Sequence, residues 1–168
     1  MKTGFLKKRR LLTGSLVLIL AGTIIFLVNQ KGNKTQRSIS WAAMSGDLNL
    51  LKKYEAAGVS LDVQDPHAFN WTPLMAALYH QKTNIIHYLL TRNINLNLQD
   101  NRGDTALMWA ITVEDTNTAK LLLEKGADVT VMNKDGADAF VYAKNSPYRA
   151  VLLNWLRESS NQTRGRKP

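Results

Sequence analysis

The sequence predicts an all-α fold: a solenoid of about four helix-turn-helix units, preceded by one N-terminal transmembrane helix. A short motif and a pair of glycines each recur with a period of 33 residues. Such self-similarity is typical of chains in which each unit buries its apolar face only against its neighbours. The copies of the motif are Thr72–Ala77, Thr105–Ala110 and Asp138–Ala143, and the glycines are Gly103 and Gly136.

Each unit is predicted to contain two short helices. Thr72 and Thr105 can each cap a helix, and Pro73 is tolerated at the first helical position. In the second unit, apolar residues at helical spacing predict one buried face on each of two helices. These residues are Leu74, Ala77, Leu78, Ile85, Ile86, Leu89 and Leu90. The polar stretch from Asn95 to Gly103 predicts a projecting turn between units.

These residues resemble the ankyrin repeat. The match is best in the third unit, through Gly103, Thr105, Leu107, Ala110, Leu121–Leu123 and Gly126–Val129. The resemblance covers residues 38–158 and implies units at about 38–68, 69–101, 102–134 and 135–158. It also implies a module that binds other proteins with its projecting turns and its first helices.

The sequence departs from the family pattern at the turn before the second unit, which is two residues longer than the next. The extra length carries Pro66, His67, Phe69 and Trp71. Two interpretations stay open for these aromatic residues. They fold back over the core of the first repeat, or they form an exposed patch that contacts a partner.

The positions that the resemblance assigns to partner contacts lie in the second and third units. They are Phe69, Trp71, Tyr79, His80, Asn101, Arg102, Asp104, Thr112 and Val113. We expect the interface to centre on the aromatic members next to the longer turn. The other tryptophans, Trp41, Trp109 and Trp155, are expected to pack in the core.

The N-terminal residues predict a membrane anchor. A basic segment, residues 1–10, precedes an uncharged apolar run that as a helix would reach ~27 Å, close to a bilayer core of ~30 Å. We therefore predict a transmembrane signal anchor at residues 11–30 and a linker at 31–37. The excess of positive charge before the run favours a cytoplasmic N-terminus and an array on the far side. A cleaved signal peptide, releasing the array into the periplasm, is the alternative.

The net charge of +9 does not indicate a nucleic-acid-binding protein. The excess of bases lies before residue 39 and in the tail at residues 159–168, which is expected to be disordered and basic. The array between them is close to neutral, without the basic stripe that phosphates require. We therefore expect no nucleic acid among the partners.

No pattern in the sequence indicates catalysis. There is no cysteine, and the three histidines, His67, His80 and His87, have no spacing typical of a metal site. No nucleophile, base and oxyanion donors come together. We expect a non-enzymatic chain without a cofactor, a metal or catalytic residues.

The sequence thus favours a protein-interaction module in a bacterial cell, anchored in the inner membrane and displayed in the periplasm, and monomeric. The first hypothesis is an adaptor or scaffold that holds an envelope protein. The alternative is an immunity protein that binds and neutralises a secreted toxin acting in the periplasm. A ligand-sensing or enzymatic role would require an apolar pocket that repeat stacks seldom form.

Overall fold

The computed structural model describes residues 39–164. The predicted basic segment (1–10), transmembrane anchor (11–30) and linker (31–37) lie outside these residues. Within residues 39–164, none of the helices is both long enough and apolar enough to cross a membrane.

The regular elements that the structure describes are helices, in pairs along the chain. Residues 39–45 form α1. The others are α2 (Leu48–Ala56), α3 (Pro73–Tyr79), α4 (Thr83–Leu90), α5 (Ala106–Thr112), α6 (Thr116–Glu124), α7 (Ala139–Lys144) and α8 (Arg149–Arg164). This all-helical repeat array confirms the predicted solenoid.

Side chains cap the first helices of the last three pairs, at Thr72 and Thr105 as the sequence predicts. The hydroxyl oxygen of Thr72 accepts a hydrogen bond from the Met75 amide at 3.3 Å, and that of Thr105 accepts one from Met108 at 3.5 Å. In the last pair, Asp138 takes this role for Val141 at 3.0 Å. Each cap satisfies an amide that the helix itself leaves unpaired.

The first helices of successive pairs stack on one another, so α5 packs against both α3 and α7. Each also packs against the second helix of its own pair. Ala77, Ala110 and Ala143 are completely buried on the first helices, where their small side chains permit close approach. Leu89, Leu90, Leu122 and Leu123 supply the bulk of the core from the second helices.

Backbone hydrogen bonds link the projecting turns. The amide of Asn101 donates to the carbonyl of Phe69 at 2.9 Å, and the amide of Lys134 donates to the carbonyl of Arg102 at 2.9 Å. Each turn is closed internally too, by the amide of Asp65 to Trp71 and that of Asp100 to Asp104, both at 3.0 Å. The three turns therefore form one continuous edge.

Two expectations about the ends of the array differ from the structure. Helix α8 does not end at Glu158 but continues to Arg164, so the first part of the expected disordered tail is helical. Trp41 is not in the core, because 63% of its surface is exposed. Trp109 is buried and Trp155 packs partly buried against the core, as expected.

Candidate functional site

Aromatic side chains of the second and third repeats meet on the side of the array that carries the projecting turns. The Trp71 ring lies 4.9 Å from that of Tyr79, 5.2 Å from that of Trp109 and 5.4 Å from that of Phe69, between centroids. These separations are those at which aromatic rings attract one another. We call the depression of about 300 Å³ that they enclose the aromatic hollow. It is lined by Phe69, Trp71, Tyr79, Asp100, Arg102 and Trp109.

The longer turn positions Phe69 and Trp71. Phe69 and Asn70 have φ angles of 53° and 60°, so two successive residues other than glycine adopt the left-handed conformation. Such a conformation costs about 1 kcal/mol or more per residue. The bridge between Asp65 and Trp71 closes the turn behind them. The chain therefore reverses sharply, and Phe69 projects beyond the buried Trp71.

Asp100 holds the floor of the hollow in place. Its Oδ2 accepts the indole N–H of Trp109 at 3.0 Å and that of Trp71 at 3.3 Å. Its Oδ1 accepts the backbone amides of Arg102 and Asp104 at 2.8 and 2.9 Å. A buried carboxylate requires such donors to replace water, so Asp100 fixes both indoles and the turn together.

Arg102 forms one wall of the hollow. Its guanidinium carbon lies 5.2 Å from the centre of the Trp109 ring, and its Nη2 lies 2.9 Å from Oδ2 of Asp104. The other oxygen of Asp104 accepts from the Tyr142 hydroxyl at 2.6 Å and from Asn133 at 2.8 Å. Burial, together with the hydrogen bond to Asp104 and its charge, raises the pKa of Tyr142 to about 12.

Exposure separates the side chains that a partner can contact from those that support them. Phe69 is 66% exposed, Tyr79 is 51% exposed and the side chain of Arg102 is 60% exposed. Trp71 and Trp109 are buried and form the floor. Burial therefore distinguishes the two aromatic residues of the longer turn. Phe69 is exposed, whereas Trp71 is buried against Tyr79 and against Trp109 of the third repeat, and contact with a partner stays a prediction.

The remaining predicted contact residues are not all in this hollow. His80 packs edge-on against Tyr79 with ring centroids 5.2 Å apart, and Asn101 lies at the tip of the adjoining turn. Asp104 is buried, and it contributes to the hollow through its ion pair with Arg102. Thr112 and Val113 line two other depressions. Sequence reasoning did not place Asp100 and Trp109 at the site.

The site offers aromatic faces and one exposed guanidinium. In the part of the chain that the structure describes, no group of His, Asp and Glu side chains is arranged to hold a metal ion. The aromatic and Arg residue types are those that dominate the energetics of protein interfaces. The arrangement is therefore suited to gripping a side chain of another macromolecule.

A family model for ankyrin repeats matches residues 39–133 as three copies. The chain belongs to the ankyrin repeat family. An ankyrin repeat protein of fowlpox virus is 30% identical over 114 residues, which are 68% of this chain and 26% of that protein. A human palmitoyltransferase is 38% identical over 90 residues, 52% of this chain and 14% of the enzyme. The chain thus spans about a quarter of these relatives or less.

A solved structure is also similar to this chain. It is the complex of a predatory endopeptidase from Bdellovibrio bacteriovorus with an immunity protein. The match has a TM-score of 0.60 and 30% sequence identity, and it covers 72% of this chain and 62% of the matched one. Ankyrin repeats are typically non-enzymatic modules that bind other proteins, and this chain is an ankyrin repeat protein-interaction module.

Proposed function

We propose that this chain is an immunity protein that binds an enzyme acting in the bacterial envelope and blocks it. The observation that carries the proposal is the similarity to a chain in a complex that pairs an endopeptidase with an immunity protein. An ankyrin array binds rather than cleaves, so the immunity protein is the component of that complex that this chain resembles in role. The aromatic hollow supplies a surface for the contact.

We further propose that residues 11–30 anchor the chain in the inner membrane as a monomer, with the array in the periplasm. The uncharged run and the basic residues before it support this topology. Such a tether would keep the array where an envelope enzyme threatens its own cell. Protease added to spheroplasts should digest the array, and an array protected until the membrane is lysed would contradict this orientation.

A second candidate function is the adaptor or scaffold. The similarity to ankyrin segments of larger proteins with other activities favours it, because the fold alone does not select inhibition. An adaptor would hold an envelope protein without changing its activity. The two candidates therefore differ in one measurable property, the activity of the bound protein.

The test is capture by the full chain from detergent extracts of the producing cell's envelope, followed by assay of the captured protein. Loss of enzymatic activity at equimolar chain is the result expected of an immunity protein. An enzyme that keeps its activity, or a captured protein without one, would support the adaptor instead. Tyr79→Ala should abolish capture, whereas Tyr148→Ala, an exposed tyrosine outside the hollow, should not.

A further inference from the structure

The accessible charged side chain of the aromatic hollow is a cation. Arg102 lines the hollow and its side chain is 60% exposed; its guanidinium carries five N–H donors, and the ion pair with Asp104 is made through Nη2. The acids of the hollow, in contrast, are buried. A group that enters the hollow therefore meets a positive side chain before a negative one.

Every carboxylate oxygen of the buried acids already has a donor. Each oxygen of Asp100 already accepts two N–H groups, from the indoles on one side and from the turn amides on the other. Asp104 accepts from Tyr142 and Asn133 on one oxygen and pairs with Arg102 through the other. An ammonium group would have to displace one of these bonds to reach Asp100, and at the face of Trp109 it would meet the charge of Arg102.

The aromatic walls accommodate an apolar group. The centroids of the exposed rings of Phe69 and Tyr79 lie 5.4 and 4.9 Å from that of the buried Trp71 ring. The cavity of about 300 Å³ is large enough for one aromatic side chain. Burial of an aromatic residue contributes strongly at the centre of interfaces, where Trp, Tyr and Arg dominate the binding energy.

We propose that the hollow binds a segment of the partner protein that presents an aromatic side chain next to a carboxylate. The aromatic ring enters the hollow and packs against Phe69 and Tyr79, and the carboxylate pairs with Arg102. On the neighbouring turn, Lys134 and Asp135 are both exposed and their opposite charges offset each other. We therefore assign to Arg102 the preference for a negative group on the partner's segment. This inference rests on the proposed function and names the chemistry of the partner's contact segment.

A series of small probes that share a phenyl ring and carry polar groups of different charge tests the inference without the partner. Phenylacetate, phenylacetamide and phenethylamine share one ring and are negative, neutral and positive. Binding to the full chain in detergent is followed by the chemical shifts of the Trp71 and Trp109 indole N–H groups. We expect phenylacetate to bind about fivefold more tightly than phenylacetamide, because an exposed ion pair contributes up to ~1 kcal/mol. Phenethylamine should bind most weakly.

The matched variants are Arg102→Gln and Lys134→Gln. Arg102→Gln should remove the advantage of phenylacetate and leave phenylacetamide unchanged, whereas Lys134→Gln should preserve the advantage. Tightest binding of phenethylamine, equal binding of the acid and the amide, or no binding of any probe would each overturn the inference. The envelope-capture assay is independent of these probes, so a failure here is distinguishable from a failure of the proposed function.

Discussion

The indole N–H of Trp71 donates to Oδ2 of Asp100 at 3.3 Å, and the same oxygen accepts the indole N–H of Trp109 from the third repeat. The longer turn that carries Trp71 is thereby locked onto the next repeat. Phe69, two residues earlier, is left exposed at the rim. The second aromatic residue of the longer turn therefore forms the floor of the hollow, and the first is exposed, where we predict that a partner contacts it.

Asp100→Asn should lower the free energy of unfolding by about 2–3 kcal/mol. The amide that replaces the carboxylate turns its NH₂ toward either the two indoles or the two turn amides, and leaves those buried donors unpaired. Urea denaturation measures the effect. Asp135→Asn, at an exposed position, should change stability by no more than about 0.5 kcal/mol. Equal effects would mean that Asp100 does not hold the two repeats together.

Trp71→Ala should mainly lower the stability of the fold, whereas Phe69→Ala should mainly weaken binding of the partner. Trp71 is buried against two rings, so its truncation should cost about 3–5 kcal/mol. Phe69→Ala should cost less than about 1 kcal/mol yet weaken capture of the partner. Thermal unfolding and envelope capture, done on the same preparations, distinguish the two roles. A large loss of stability in Phe69→Ala would place that ring in the core.

Gly103→Ala should be the more damaging of two glycine substitutions. Gly103 has φ +83°, and a Cβ there would lie 2.9 Å from the backbone of both Asn133 and Lys134. Gly136 has φ +73° but no atom within 4 Å of such a Cβ. We expect a loss of about 3 kcal/mol for Gly103→Ala and about 1 kcal/mol for Gly136→Ala in urea denaturation. Equal losses would show that the adjoining turns are not rigidly packed.

The phenol of Tyr142 should make stability depend on alkaline pH. Its folded pKa, about 12, is above the unfolded value of 10.0, so the folded state keeps a proton that the unfolded state loses. This contribution is present in full below pH 10 and is lost as pH rises through 12. Tyr142→Phe should flatten the decline in stability over that window. Tyrosinate absorbance should also lose its most alkaline step in this variant, and an unchanged titration would contradict the assignment.

The repeat architecture could be predicted because it depends on local signals. The caps at Thr72 and Thr105 and the buried alanines at Ala77 and Ala110 follow from helix chemistry within each unit. Each unit repeats these signals, so a unit that matches the pattern poorly can be assigned from its better-matching neighbour. The extension of α8 to Arg164 has no such repeated signal, and its polar residues did not distinguish a solvated helix from a tail.

The aromatic hollow was only partly predictable because it joins residues of different repeats. The exposed members Phe69, Tyr79 and Arg102 lie at positions that the family pattern assigns to contacts. Asp100 was missed, because its role depends on an indole that arrives from 29 residues earlier. No residue spacing in the sequence predicts this hydrogen bond between Trp71 and Asp100.

Trp41 and Trp109 occupy the same position of the repeat, yet Trp41 is exposed and Trp109 is buried. Trp41 precedes Ala42 as Trp109 precedes Ala110, so both tryptophans occupy the same position on a first helix. Trp109 is covered by Trp71 and Arg102. One repeat beyond Trp41, the corresponding residue is the small Ala76, and the indole stays exposed. The prediction of a core role for Trp41 was wrong because burial at this position depends on which side chains lie against the indole.

The most direct test of the account is photo-crosslinking in the producing cell, with a photoreactive phenylalanine analogue at Tyr79 of the full chain. Tyr79 is half exposed at the hollow, whereas Tyr148, with similar exposure, lies elsewhere and provides the control position. The account predicts one discrete protein adduct from position 79 and none of that mass from position 148. Identical adducts from both positions, or none from position 79, would contradict the hollow as the partner's binding surface.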